Sequence, residues 1–460
     1  MKNYSELVIE LCNLEQVLQL ELDKIRDVPI WRIVRRKYRG RYLSQRNISN
    51  PLNDNFSCFD FFQLLKVYFI SLKQFLKLMF GSKKYENMIL GFPRLEKIDG
   101  IYLDKFVDPL ISGTRIKDSY VYFERGRSGK HFTPRLNNES VVYTEFLDFT
   151  SQILGVISIP IVFLCNSRKF MNVFRKASKS FTLTAKDYIS IVYRCGVFIF
   201  FVFFLKIILR RLQIKRFFGV SAILFFKYTI ACKELGITIY ELQHGITTGP
   251  TTAYSGIYNE KLAPDYFLAF GKSSMKEVFS VPLSKMIDIG WAFKNFIKNH
   301  TFNILYPEST YLIVSDPEIT HCIIDTSIQL SQMYPNCEFH IRLHPQERLT
   351  EDQQNILLLY KNILLQDNAI NSNIALLSYR SVLGENSTVL YEALSMGRKV
   401  GRFCFNGFSP QIMPDFEQEY NFFYIKSIND FSKFCTINND LSAPNSIYSD
   451  FNADIVNNLL

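Results

Sequence analysis

IKRFFGVSAILFFKYTIACKELGITIYEL, residues 214–242, is the stretch that decides the fold. Its apolar, β-branched and aromatic run at 214–220 reads as a strand, 221–235 as a helix closed by Gly236, and 237–242 as a second strand. A strand, a helix and a strand within about 30 residues make a right-handed crossover, which joins parallel strands. Short strands are expected on either side of it, at 87–92 and 120–124 before and near 266–270 and 286–289 after. A second series of the same kind starts near residue 309. It places strands at 310–315 and 338–343, a helix at 318–333 between them, and a further helix at 352–362. One or two strands are expected over 373–384, a helix over 388–396 ended by Gly397, and a strand over 399–404.

The N-terminal part differs. Residues 1–50 read as helical, with a strongly basic helix at 31–41 (WRIVRRKYRGR), followed by a polar linker at 47–55. Residues 59–80 form an amphipathic helix with lysines on one face. The expected layout is a helical, basic segment at 1–86 and a first α/β domain at 87–298. A second α/β domain follows at 299–430 and a tail at 431–460, with 292–308 as the linker between the two α/β domains.

Of 460 residues, 21% are charged and 15% aromatic, which excludes a disordered chain. The net charge of +10 is unevenly spread. Residues 1–230 carry 37 basic and 19 acidic side chains, and 151–230 alone carry 13 basic side chains against one acid, Asp187. The basic residues are mixed with apolar runs such as GVFIFFVFFL at 196–205. That mixture suits an anionic membrane surface and argues against nucleic acid as a partner. The segment 151–216 is the expected membrane-associating part. Its apolar run at 196–209 would reach about 21 Å as a helix, short of the roughly 30 Å hydrocarbon core, and extending it back takes in Arg194. The opening MKNYSELVIELCNLEQ carries acids where a signal peptide has a basic and an apolar region. Nine scattered cysteines without a C-x-x-C pair read as buried thiols of a reducing compartment. The expectation is a cytoplasmic protein, peripheral on the inner face of the cytoplasmic membrane.

Three motifs fall at strand ends, where open parallel sheets bind ligands. Gln243-His244-Gly245 closes the strand at 237–242 and leads into a Thr- and Gly-rich loop at 246–256 that includes Thr252. A histidine there suits a base near neutral pH. Arg342-Leu343-His344-Pro345 ends the strand at 338–343, with proline stopping it and the basic side chains suited to an anion. Gly384-Glu385-Asn386-Ser387-Thr388 precedes a helix whose free N–H groups and hydroxyl cap suit a phosphate. Glu392 lies one turn further on.

In this order (QHG, then R-x-HP, then S-T-x-x-x-E-A-x-x-x-G-x-x-V) the motifs resemble the GT-B glycosyltransferases of bacterial capsule and lipopolysaccharide (O-antigen) synthesis. The capsular Kdo- and sialyl-transferase type and the CDP-glycerol glycerophosphotransferases are the nearest in pattern. The resemblance runs from about Pro93 through Gly397 and is densest at 231–245 (ACKELGITIYELQHG). It implies a GT-B-like α/β fold, with two Rossmann-like domains facing a central cleft and extra N-terminal helices. It also implies an enzyme that moves a sugar from a nucleotide-activated donor, CMP- or CDP-linked, to a lipid-linked or oligosaccharide acceptor, with inversion. The resemblance assigns His244 the role of base or phosphate contact. Arg342, His344, Ser387 and Thr388 become donor-phosphate residues, Glu392 lies near the donor, and Gln243, Gly245, Thr252 and Glu385 are further cleft residues. Members often carry a second histidine soon after QHG, where this chain has Thr251 and Thr252. No D-x-D occurs, so no metal and no cofactor beyond the co-substrate are expected. A CDP-polyol phosphotransferase, a nucleotide-sugar 2-epimerase and a non-catalytic assembly protein are the alternatives.

Overall fold

The structure is a computed structural model. It describes residues 4–46, 60–93, 95–126, 130–221, 225–246, 250–252, 254–277, 279–299, 305–317, 319–345, 347–368, 370–385, 387–405, 407–408, 422–437 and 446–460. The expected linker at 47–55 and Asn386 lie outside these residues.

Two compact units divide the chain. The first comprises 1–269, 275–287 and 453–460, and the second 270–274 and 288–452. The chain therefore passes between units at several points, not only at an expected joint near residue 300. The helix Ala292–Lys298 belongs to the second unit, and the first 86 residues share the first unit instead of standing apart.

The first unit holds a seven-stranded sheet. Its strands are β1 (Asn87–Leu90), β2 (Tyr120–Glu124), β3 (Val141–Tyr143), β4 (Arg216–Val220), β5 (Thr238–Leu242), β6 (Tyr266–Ala269) and β7 (Met286–Asp288), in the order β7-β6-β5-β4-β1-β2-β3. The pairings from β6 to β3 are parallel. The opening stretch folds as expected, with β4 and β5 adjacent and parallel, and Arg216 level with Thr238. Its helix is shorter than expected, Phe226–Lys233. From β1 the chain moves outward through β2 and β3, then returns to β4 on the other side of β1, so the order reverses between β1 and β4.

The same unit carries helices α1 (Tyr4–Val17), α2 (Ile30–Ser44), α3 (Asp60–Phe80), α4 (Glu145–Ile157), α5 (Ile159–Ser178), α6 (Ala185–Leu212) and α7 (Phe226–Lys233). Trp31, Tyr38, Phe170, Phe181, Ile191 and Cys195 form one apolar cluster that binds α2 to α5 and α6. The apolar run at 196–209 is only part of α6, which corrects its expected length. A Thr184–Asp187 capping box starts this helix and left-handed Gln213 ends it after 28 residues, about 42 Å. It is long and apolar enough to cross a membrane, yet half of its most apolar window is buried within the protein. Gly155 and Gly196 let α4 and α6 approach closely. A Cβ on Gly155 would lie 2.5 Å from Val197, and one on Gly196 2.8 Å from Ser158. Helices α4 and α5 meet at an angle of 72°, and Ile157, Ile161 and Leu164 stand exposed around that elbow.

The second unit holds a six-stranded, wholly parallel sheet. It comprises β8 (Thr310–Val314), β9 (Glu338–Arg342), β10 (Ile363–Leu365), β11 (Ser381–Gly384), β12 (Lys399–Phe403) and β13 (Phe423–Ile425), in the order β10-β9-β8-β11-β12-β13. Residues 372–378, expected to be strand, form a helix because Asn371 caps it, its side chain accepting from the Asn373 and Ile374 N–H groups. Here the strand order reverses between β8 and β11. Helix α8 (Thr388–Ser395) follows β11 directly. The fold is α/β and GT-B-like, two units each built on a parallel sheet.

Candidate functional site

In the first unit the chain leaves β5 through Gln243, His244 and Gly245. Buried Gln243 donates its backbone N–H to Leu268 O (3.1 Å), extending the ladder by one residue. Its Nε2 donates to Gly245 O at 2.6 Å and closes the turn. Gly245 has φ +64°, the left-handed region where glycine carries no Cβ penalty. The His244 N–H donates to the Tyr254 hydroxyl (2.8 Å), which lies 3.3 Å from Ser221 Oγ. The half-buried His244 ring sits between Phe92 and Phe106, with centroids at 4.5 and 5.1 Å.

Those two rings share one anchor. Phe92 N–H and Phe106 N–H both donate to the Asp104 carboxylate, the latter at 2.9 Å, and the Tyr122 hydroxyl adds a third donor at 3.2 Å. Asp104 is fully buried, and burial together with the neighbouring Asp108 charge pushes its pKa up to about 7. The histidine is thus clamped by aromatic rings that hang on a carboxyl titrating near neutrality. Phe92 lies just past β1, so the clamp sits beside the order reversal between β1 and β4. Thr252 is placed differently, its carbonyl accepting from Arg39 Nη1 at 3.3 Å. A second buried cluster lies at the end of β2, where His131 bridges Glu124 (2.6 Å) and Glu145 (2.9 Å) while stacked on Tyr143.

In the second unit, His344 follows β9, and Glu385, Ser387 and Thr388 follow β11. These strands flank β8, so the two loops stand about 10 Å apart at the same sheet edge. Ser387 caps α8, its Oγ accepting from Val389 N–H at 3.3 Å. Thr388 is exposed. The His344 N–H donates to Glu347, whose other carboxylate oxygen accepts from Ser315 (2.7 Å) and Thr320 (2.6 Å). Buried Glu347 therefore ties the HP turn to the end of β8.

Arg342 ends β9, and its guanidinium is taken up by the loop that follows β10. Arg342 Nη1 donates to Gln366 Oε1 (2.8 Å) and Nη2 to Ile370 O (2.6 Å). Nearby, His340 Nδ1 and the Tyr379 hydroxyl are 2.7 Å apart, and Gln366 donates to that hydroxyl at 3.1 Å. Burial lowers the His340 pKa against a smaller opposing effect of Glu338. Glu392 lies on the buried face of α8. Arg402, which nothing in the sequence pattern marked, is 1% exposed and donates its Nε–H to Glu385 O at 2.8 Å, while among the described residues its Nη2 has no hydrogen-bond partner. Glu347 had a readable sign, an acid three residues after a histidine–proline turn. Asp104 had none, because its role depends on which loops the sheet brings together.

No family model and no curated protein matches the chain. Among solved structures it is similar to the UDP-GlcNAc 2-epimerase from Methanocaldococcus jannaschii, at 11% identity with a TM-score of 0.52, over 82% of this chain and 99% of that one. It is also similar to UDP-GlcNAc 2-epimerase from Neisseria meningitidis bound to UDP-GlcNAc, at 10% identity and TM-score 0.41, over 82% of this chain and 98% of that one. A third is the glycotransferase of kitacinnamycin, at 8% identity and TM-score 0.42, over 77% and 92%. The first of these likenesses speaks for the fold alone.

Proposed function

We propose that the chain is a nucleotide-sugar glycosyltransferase of surface-polysaccharide synthesis, with the donor held by the second unit and the acceptor by the first. The observation that carries this reading is the β8–β11 edge. There the Ser387-capped helix and the His344 turn flank the place where a parallel sheet binds phosphates, and buried Arg402 holds the Glu385 carbonyl of the same loop. His344, Ser387 and Thr388 bind the donor diphosphate or phosphate, and Arg402 supports the loop through Glu385. His244 takes the proton of an acceptor hydroxyl as that oxygen attacks the anomeric carbon. The bond from that carbon to the phosphate oxygen breaks, and the nucleotide leaves with inversion. Fixed dipoles and cations stabilise the leaving phosphate. The exposed residues at the α4–α5 elbow rest on an anionic membrane surface, which supports a lipid-linked acceptor and a cytoplasmic, peripheral protein.

A thermal-shift panel of CMP, CDP, UDP and GDP tests the donor site. A nucleotide at 100 times its dissociation constant should stabilise by about 2.7 kcal/mol, and His344→Ala and Ser387→Ala should abolish that shift. No shift with any nucleotide sinks the reading. For the membrane arm, Ile157→Glu with Leu164→Glu should lower sedimentation with vesicles containing phosphatidylglycerol. The fold likeness to the M. jannaschii enzyme favours a second reading, a nucleotide-sugar 2-epimerase. Inversion at C2 of UDP-GlcNAc, followed by proton NMR without added acceptor, would select it.

A further inference from the structure

Helix α2 places Arg32, Arg35, Arg36, Lys37, Arg39 and Arg41 within ten positions of the chain. Most of these charges have partners. Arg39 forks onto Glu15 at 2.6 and 2.7 Å and reaches Ser255 O. Lys37 and Arg41 meet Asp187, and Arg32 meets Glu21 and Ile257 O. Arg35 has none. It is 2% exposed, and among the described residues neither Nη1 nor Nη2 has a hydrogen-bond partner. Burial, then the charges of Arg39 and Arg32, hold its pKa well below the usual guanidinium range.

Arg35 lines a cavity of about 700 Å³ within the first unit. Arg36, Arg125 and Arg194 line the same cavity, and among the described residues none of the three forms an ion pair. Lost hydration, then the charges of Arg125 and Arg194, push the Arg36 guanidinium down, so these cations lie within one another's field. Lys227 also lines the cavity, with its charge met by Asp148, and Glu241 is the single acid on the walls. Phe198 and Phe226 supply apolar wall, and the volume is that of a small-molecule site. A buried guanidinium whose Nη1 and Nη2 lack hydrogen bonds opposes folding, and the more distant Glu15 and Glu21 carboxylates offset only part of that cost. Three more like charges around the same space add to that opposition, and an anion seated among them relieves both.

We propose that this cavity binds the phosphate or diphosphate group of the acceptor, with Arg35 at its floor and Arg36, Arg125 and Arg194 around it. The assignment to an acceptor rests on the transferase reading, whereas the anion site itself does not. Planar guanidinium forks suit phosphate oxygens, which take two parallel hydrogen bonds from each. The same chemistry is offered by a free diphosphate and by a prenyl-linked one.

The test is calorimetric titration of the full chain, at constant ionic strength, with inorganic pyrophosphate and separately with farnesyl diphosphate. Three proteins are compared: wild type, Arg35→Met, and Arg36→Gln with Arg194→Gln, whose two side chains are exposed at the cavity mouth. Wild type should bind at least one probe, and each variant should lose at least tenfold in affinity. Farnesyl diphosphate binding tenfold tighter than pyrophosphate would identify a lipid-linked group, and equal affinity a free phosphate compound. Ligand-free Arg35→Met should melt at a higher temperature than wild type and lose the melting shift that the anion gives. A merely structural arginine would give a lower melting point. Absence of binding to wild type, or equal binding by all three proteins, overturns the site. The nucleotide shifts that depend on His344 should persist in both variants, so failure of the donor reading and failure of this site are told apart.

Discussion

Asp104 offers the most direct physical test of the first unit. The perturbation is Asp104→Asn in a Trp291→Phe background, which leaves Trp31 as the only tryptophan and hence a reporter of the first unit. A carboxyl moved from 3.8 to about 7 favours its protonated form in the folded state by up to about 4 kcal/mol. The sign follows from proton counts. Between the two pKa values the folded protein keeps a proton that the unfolded chain has lost, so stability falls as pH rises from about 4 to about 7 and is flat on either side. Asn cannot titrate, so the variant loses this slope. It also carries a pH-independent penalty of about 1–3 kcal/mol, because its amide must face an N–H that Asp104 accepts from. Urea unfolding followed by Trp31 fluorescence from pH 4.5 to 8 should show the variant below wild type in acid and about 1–3 kcal/mol above it at pH 8, the two curves crossing in between. Asp108, whose pKa burial also raises, leaves a smaller slope of the same sign in both proteins. Equal slopes in the two proteins would show that Asp104 is not held protonated and that the reasoning is wrong.

Glu347→Ala leaves the Ser315, Thr320 and His344 donors without their carboxylate and should destabilise the second unit by about 3 kcal/mol. Trp291 fluorescence in a Trp31→Phe background measures it, and a loss below about 1 kcal/mol would argue against the turn being held this way. Gly245→Ala meets no atom within 4 Å, so its cost is backbone strain alone, about 1–2 kcal/mol, read by the same unfolding of the first unit. Gly155→Val collides with Val197 across the α4–α6 contact and should cost more than Gly245→Ala. The reverse order would contradict the close approach of those helices.

Much of the architecture could be read from residues 214–242, because a strand, helix and strand in that spacing leave few topologies. Helix α6 could not be read at full length. Arg194 argues against continuing it as a membrane span, but in a protein core an arginine on the cavity side is compatible with 28 helical residues. The helix at 372–378 was hidden by β-compatible residues whose conformation Asn371 decides by capping. At the sites, histidine, proline and hydroxyl residues at strand ends were visible as chemistry. Their supports were not: Asp104 lies 140 positions from His244, and Arg35 is distinguished from its neighbours only by what fails to face it. Arg342 illustrates the converse, a residue marked by its motif whose guanidinium is engaged by Gln366 and Ile370 O.

The helix Ala453–Asn458 returns to the first unit. There Asn457 accepts from Arg115 N–H (2.9 Å) and Nη2 (2.7 Å), Leu459 O accepts from the Tyr240 hydroxyl (2.9 Å), and Val456 is fully buried. On a ribosome these residues follow all of the second unit. At about 5–20 residues per second, the first unit waits roughly eight to thirty-four seconds, after its last strand emerges, for the piece that completes it. During that interval the outer surfaces of Tyr240 and Arg115 stay uncovered. The protein is therefore assembled last-piece-first-unit, and a C-terminal fusion would burden the half of the chain synthesised earliest.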